Sequence, residues 1–176
     1  IESVTDRYGK ILEEHIPSPP QQVMEAETAD IMAWLLHEVA SSGTGARARR
    51  DLNIKGIAGK TGTTNDEKDA WFVGFTPDVL TATWVGYDQP RTLGVSSTGG
   101  RTALPIWVDY MRQAIRQHAD HSFELSDDIH WVNIDEVSGR RVSEGGRLYP
   151  FISGTVPDDM GLEAGQVTLD DLATEL

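Results

Sequence analysis

Two aromatic-rich segments joined by a minimal turn constrain this chain more than any other feature. Ala70–Thr76 and Leu80–Tyr87 hold Trp71, Phe72, Val73, Phe75, Trp84, Val85 and Tyr87, and Pro77-Asp78 links them. β-Branched and aromatic residues favour a pleated, half-buried surface, and Pro-Asp is a hairpin-type turn. So short a join allows only antiparallel neighbours. Ile54–Thr63 reads as a third strand ahead of them. The expected class is therefore α+β, with an antiparallel sheet of three strands flanked by helices.

Two helices supply the flank. The first is expected over Ala29–Ser41, with Thr28 as N-cap, Asp30 in the first turn and an apolar stripe of Ile31, Leu35 and Val39 ending at Gly43. The second begins near Pro105, a residue suited to a first helical turn, and carries Leu104, Trp107, Val108, Met111, Ala114 and Ile115 on one side. Between the first helix and the first strand, Gly43-Thr44-Gly45-Ala46 with Arg47, Arg49 and Arg50 reads as a connection. Such a loop can cradle an anion, but with no phosphate-loop pattern a turn with solvated charge is the simpler reading.

The ends are less regular. Ile1–Lys10 reads as extended chain turning at Gly9, and Ile16-Pro17-Ser18-Pro19-Pro20 as a stiff connector. After His118, Trp131–Ile134 reads as a short strand followed by a turn at Ser138-Gly139. No Lys or Arg follows Arg147 while acidic residues accumulate, so 157–176 reads as a weakly ordered acidic tail. The expected organisation is a domain part over 1–118, an extension with short strands over 119–156, and that tail.

Charge and composition narrow the function classes. A net charge of −13 over 176 residues argues against binding nucleic acid. The absence of Cys excludes disulfides and thiolate metal sites. No apolar run reaches the length of a membrane span. The chain opens at Ile1 with neither an initiator Met nor a signal-peptide pattern, which leaves room for an anchor or targeting signal upstream.

The segment that carries chemistry is Gly59-Lys60-Thr61-Gly62-Thr63-Thr64. It ends a strand, so side chains alternate between faces. Thr61 and Thr63 then share one face, about 7 Å apart, where two hydroxyls can converge on a carboxylate. Lys60 and Gly62 lie on the other face. Lys60 can reach beneath the strand and depress the pKa of a nearby amine or hydroxyl. Gly62 lets an extended peptide lie close to the strand edge, and the Thr63 N–H can form half of an oxyanion hole.

These residues, with Asp69-Ala70-Trp71-Phe72-Val73-Gly74-Phe75-Thr76-Pro77, Trp84-Val85-Gly86-Tyr87-Asp88, Gly43-Thr44-Gly45 and Ala103-Leu104-Pro105-Ile106-Trp107, resemble the class A, bifunctional penicillin-binding proteins. The resemblance covers residues 1 to 118 well and runs more loosely to Phe151-Ile152-Ser153-Gly154-Thr155. It implies an incomplete penicillin-binding/β-lactamase-like transpeptidase fold. It also implies a serine-type D,D-transpeptidase that crosslinks peptidoglycan stem peptides through an acyl-serine and binds β-lactams. By the same resemblance Lys60 is catalytic, Thr61, Gly62 and Thr63 bind substrate, and no cofactor or metal is needed. The parent is expected to carry a glycosyltransferase domain and to sit, anchored through an upstream segment, on the periplasmic face of the membrane.

The family pattern is incomplete here. It uses Ser-x-x-Lys and Ser-x-Asn besides Lys-Thr-Gly. Three residues before Lys10, Lys55, Lys60 and Lys68 stand Arg7, Leu52, Ile57 and Asn65; two before Asn53, Asn65 and Asn133 stand Asp51, Thr63 and Trp131. None is Ser. The nucleophile and the strands completing the sheet are expected in an N-terminal portion of the transpeptidase domain, in the same or a separate chain, and this chain alone is expected to be inactive. The alternatives are a non-catalytic binding module derived from the fold, or a related D,D-carboxypeptidase or β-lactamase. The aromatic hairpin speaks against the latter.

Other constellations have simpler readings. His118 and His121 suggest a two-histidine metal site without a third ligand, and solvated helix-end histidines account for them. Asp66, Glu67 and Asp69 suggest paired carboxylates, but turn chemistry suffices. Ser96 and Ser97 lie in a loop with no nucleophile-elbow pattern. Trp34, Trp71, Trp84, Trp107 and Trp131 read as core, or as surface where the missing portion docks.

Overall fold

The computed structural model describes residues 3–16, 18, 19 and 21–157. Most of the expected acidic tail, and two of the prolines in the expected connector, lie outside them. The chain begins with a hairpin of β1 (Ser3–Thr5) and β2 (Ile11–Glu14), which turns at Gly9 with φ +83°. The central sheet is β3 (Ala58–Thr63), β4 (Ala70–Phe75) and β5 (Leu80–Val85), in that spatial order and antiparallel throughout. This is the expected α+β architecture. The first strand is shorter than Ile54–Thr63 because Asn53, at φ +53°, stops the preceding helix and Lys55-Gly56 still turns.

Register explains the sheet's two faces. Thr61 sits opposite Phe72 and Phe72 opposite Thr83, while Gly59 faces Gly74 and Thr63 faces Ala70. These residues line the face covered by helices. Helix α1 (Ala26–Ser41) packs along β3, and α3 (Ala103–Ala114) lies on β4 and β5. The core joins Ile57, Ala70 and Phe72 from the sheet side to Ala40 of α1 and to Leu104, Trp107, Val108 and Met111 of α3. Trp107 is fully buried, meets Phe72 edge-on at 4.9 Å between ring centroids, and donates its indole N–H to the Thr81 carbonyl at 3.0 Å. Gly74 makes this possible, since a Cβ there would lie 2.7 Å from Phe72 Cε1 and 2.8 Å from Trp107 Cζ2.

Several sequence expectations are corrected. The first helix starts at Ala26 with Glu25 as its N-cap, so Thr28 lies inside the first turn and caps nothing. The expected arginine-bearing connection is in large part a helix, α2 (Ala46–Leu52). Gly45 opens it, Ala48 is buried beneath it, and Asp51 receives Arg47 at 2.9 Å and Arg50 at 3.1 Å. Those two guanidiniums, Arg47 foremost, hold the Asp51 carboxyl below the usual carboxylate range. Beyond α3, β6 (Ile129–Ile134) pairs with a second short strand, β7 (Arg147–Ile152), whose residues the sequence reading did not place. This hairpin docks on α1, where Trp34 meets Trp131 at 6.4 Å and Tyr149 at 5.5 Å, and Arg147 pairs with Glu38.

Trp107 is the test of this core. Trp107→Ala is expected to destabilise the protein by about 3–5 kcal/mol. Trp107→Phe should cost about 1–3 kcal/mol, because the Thr81 carbonyl loses its donor. Thermal unfolding checks both, and equal stability of Phe and wild-type proteins would contradict the role given to the indole N–H.

Candidate functional site at the free edge of the sheet

Among the described residues β3 is an edge strand, with β4 on one side only. The Thr64 N–H donates to the Asp69 carbonyl at 3.1 Å, continuing the ladder one residue past Thr63. In an antiparallel pair successive residues turn their backbone groups to opposite sides. The N–H groups of Thr61 and Thr63 therefore point away from β4, along the open edge. An unpaired strand edge is a template for an extended peptide.

The side chains follow the expected alternation. Thr61 and Thr63 fall on the helix-covered face, and Lys60 and Gly62 on the opposite one, beside Val73 and Trp71. The hydroxyls of Thr61 and Thr63 are held individually. Thr63 Oγ1 accepts the Gly99 N–H at 3.0 Å, and Thr61 Oγ1 lies 3.1 Å from Thr44 Oγ1. Lys60 does not extend away from its own strand: Nζ donates to the Thr61 carbonyl at 2.9 Å and approaches Thr61 Oγ1 at 3.4 Å. Its ammonium thus lies against the same edge as the outward N–H groups.

Two loops build this arrangement. Thr98-Gly99-Gly100, just ahead of α3, lies flat over the Gly62–Trp71 pair. A Cβ on Gly99 would stand 2.3 Å from the Trp71 carbonyl oxygen and 2.6 Å from that of Gly62. The turn after β3 is tied by Asp69, which accepts from Trp84 Nε1 at 2.9 Å and Thr64 Oγ1 at 3.3 Å. Asp66 and Glu67 hold φ of +60° and +52° there, a conformation costly for residues with side chains. Sequence reading missed Thr44 and Gly99 as partners of the strand, because nothing local joins residues 17 and 36 positions away.

The remaining candidates serve the fold. Asp66 pairs with Lys68 at 3.2 Å, and Glu67 accepts the Ser96 N–H at 2.9 Å. Ser97 Oγ donates to the Leu93 carbonyl at 3.3 Å. His118 and His121 both approach Asp78 of the β4–β5 turn, at 3.7 and 3.8 Å. Among the described residues no group of three His, Asp or Glu side chains is placed to hold a metal ion.

On the other face of the sheet, opposite the helices, large side chains stay open. Trp71, Val73 and Trp84 keep 41%, 40% and 44% of their surface exposed. Trp71 and Trp84 stand 6.1 Å apart on neighbouring strands. Lys60 lies on this face.

Comparison with known proteins gives one family match, the penicillin binding protein transpeptidase domain, over residues 1–112. Penicillin-binding protein 1A of Pseudomonas aeruginosa is 45% identical over 129 residues, which is 73% of this chain and 16% of that protein. The Aquifex aeolicus protein of the same name is 41% identical over 160 residues, 89% of this chain and 22% of its own length. The crystal structure of penicillin-binding protein 1A from Haemophilus influenzae superposes with a TM-score of 0.81 at 30% identity, covering 90% of this chain and 29% of that one. The chain thus spans about a fifth of the curated relatives it matches.

The seating of the 98–100 loop has a direct consequence. Gly99→Ala must move backbone, whereas the nearest atom to a Cβ on Gly100 is the Thr44 carbonyl oxygen at 3.3 Å. Gly99→Ala is expected to lower the melting temperature by several degrees, in line with a cost of about 1–3 kcal/mol for overpacking, and Gly100→Ala by clearly less. Equal melting temperatures for the two variants would contradict the close approach.

Proposed function

The chain belongs to the penicillin-binding protein transpeptidase family, and from that premise we propose that it supplies the substrate-binding Lys-Thr-Gly strand of a serine-type D,D-transpeptidase whose nucleophile lies in another segment of polypeptide. The observation that carries this reading is the free edge of β3, where outward N–H groups, two fixed hydroxyls and one ammonium stand together.

A stem peptide ending in D-alanyl-D-alanine lies along this edge as an added strand. Its terminal carboxylate takes the Thr61 and Thr63 hydroxyls; Thr63 already accepts the Gly99 N–H and so has its own proton to donate. Gly62 presents no side chain to obstruct the peptide. The serine oxygen attacks the carbonyl of the penultimate residue. The serine proton passes to a base in the nucleophile-bearing segment, and the negative charge that develops on the substrate carbonyl oxygen is met by the Thr63 N–H, an oxyanion donor fixed before the reaction begins. The C–N bond then breaks and the terminal D-alanine leaves with a proton. The amine of a second stem peptide displaces the serine, which recovers its proton, and the crosslink is made. With a β-lactam the cleaved amide stays tethered in the opened ring, so no leaving group departs and the acyl-enzyme stalls.

Lys60 has two roles in this scheme. Its ammonium raises the positive potential where the carboxylate docks. Swung from the Thr61 carbonyl toward the open face, it also favours the neutral form of a neighbouring amine and so keeps a base available. The exposed Trp71, Val73 and Trp84 on that face supply the apolar surface against which the nucleophile-bearing segment packs. Placement on the outer side of the cytoplasmic membrane, with an anchor and a glycosyltransferase domain elsewhere in the parent, accompanies this proposal.

The test uses the complete protein. Thr61→Val with Thr63→Val should slow acylation by a β-lactam about 100-fold or more, from two lost hydrogen bonds to a charged group. The melting temperature should fall by a few degrees, because the buried Gly99 N–H loses the Thr63 oxygen, while the protein stays folded at the assay temperature. Unchanged acylation would remove these roles and leave the non-catalytic module as the better account.

A further inference from the structure

We propose that Thr44 is a positioning residue for this site: its hydroxyl donates to Thr61 Oγ1 and so directs the Thr61 proton outward, to the substrate carboxylate. The inference rests on the reading above that Thr61 binds that carboxylate.

The geometry begins with the loop. Thr44 lies between α1 and α2, and both flanking glycines donate their N–H to the Val39 carbonyl at 3.1 Å. Ser42 N–H goes to Glu38, Ala46 N–H to Gly43 and Ala48 N–H to Gly45, so the backbone around Thr44 is tied on every side. Gly45 is buried, and a Cβ there would lie 3.5 Å from Phe72 Cε2. The loop is thereby seated on the same ring that sets the sheet. Thr44 itself is exposed, and its side chain reaches the half-buried Thr61 at 3.1 Å. A satisfied surface threonine has no need of that reach.

Proton counting gives the direction. A hydroxyl has one proton and two lone pairs, an ammonium only donates, and a carboxylate only accepts. Lys60 Nζ stands 3.4 Å from Thr61 Oγ1, so Thr61 accepts there. A bound carboxylate must receive the Thr61 proton. Thr44 can then keep its contact with Thr61 only by donating. The chain Thr44 → Thr61 → carboxylate leaves every proton used, and each bond polarises the next. Thr63 is arranged in parallel, with the Gly99 N–H in the place of Thr44. Gly99 donates through backbone and is fixed, whereas Thr44 donates through a side chain that substitution can remove.

A purely structural tie between loop and strand would affect all ligands alike, so the test compares a penicillin with its methyl ester on the complete protein. The wild type should be acylated faster by the free acid. Thr44→Val should slow acylation by the acid about three- to tenfold while leaving the ester rate unchanged. Thr44→Ser should restore the acid rate to within about twofold, since the hydroxyl is retained. Equal loss with acid and ester, or a Thr44→Val protein that keeps the full preference for the acid, would overturn the inference while leaving the site reading intact. A wild-type protein that takes acid and ester equally would overturn the carboxylate reading of Thr61, and the role of Thr44 with it.

Discussion

The edge-on contact between Phe72 and Trp107 is the constraint on which the rest of the structure depends. It brings α3 down onto the sheet, and two glycines, Gly59 and Gly74, clear the ground for it. A Cβ on Gly59 would lie 2.8 Å from Phe72 Cζ. The loop at the start of α3 lies across the Gly62–Trp71 pair, and the Gly99 N–H meets Thr63. The same Phe72 ring underlies Gly45 and so seats the loop that carries Thr44. Both hydroxyls of the candidate site thus take their positions from loops seated on one buried aromatic pair, away from the free edge of β3.

Much of this was legible in the sequence because it is local. The aromatic segments and their Pro77-Asp78 turn specify a hairpin by composition and spacing alone, and strand alternation divides Lys60 and Gly62 from Thr61 and Thr63. The short helix α2 escaped notice because seven residues rich in Ala and Arg show no apolar period, and its stability comes from burying Ala48. β7 was hidden by Pro150, which reads as a strand breaker but here stands opposite Trp131 in a two-stranded ribbon. Thr28 resembled a cap because it precedes the apolar stripe, yet the helix runs a further turn toward the N-terminus. The hydroxyl partners and the return of Lys60 to its own strand depend on distant residues meeting, which no window of sequence contains.

The two faces of the sheet tell different stories about completeness. The helix-covered face is packed, with Phe72, Trp107, Leu104 and Met111 fully buried. The opposite face carries Trp71, Val73 and Trp84 in the open and has Lys60 at its border. One face of the sheet is dry and the other is aromatic and exposed. The 176 residues hold neither Ser-x-x-Lys nor Ser-x-Asn, and under the proposed function the nucleophile-bearing segment packs on this uncovered side.

The central claim is that binding and attack are divided between this chain and another segment. Peptide mapping by mass spectrometry after incubating the complete protein with a β-lactam tests it most directly. The account predicts a single acyl adduct on a serine outside residues 1–176, in a Ser-x-x-Lys sequence. An adduct on any residue within this chain would contradict it.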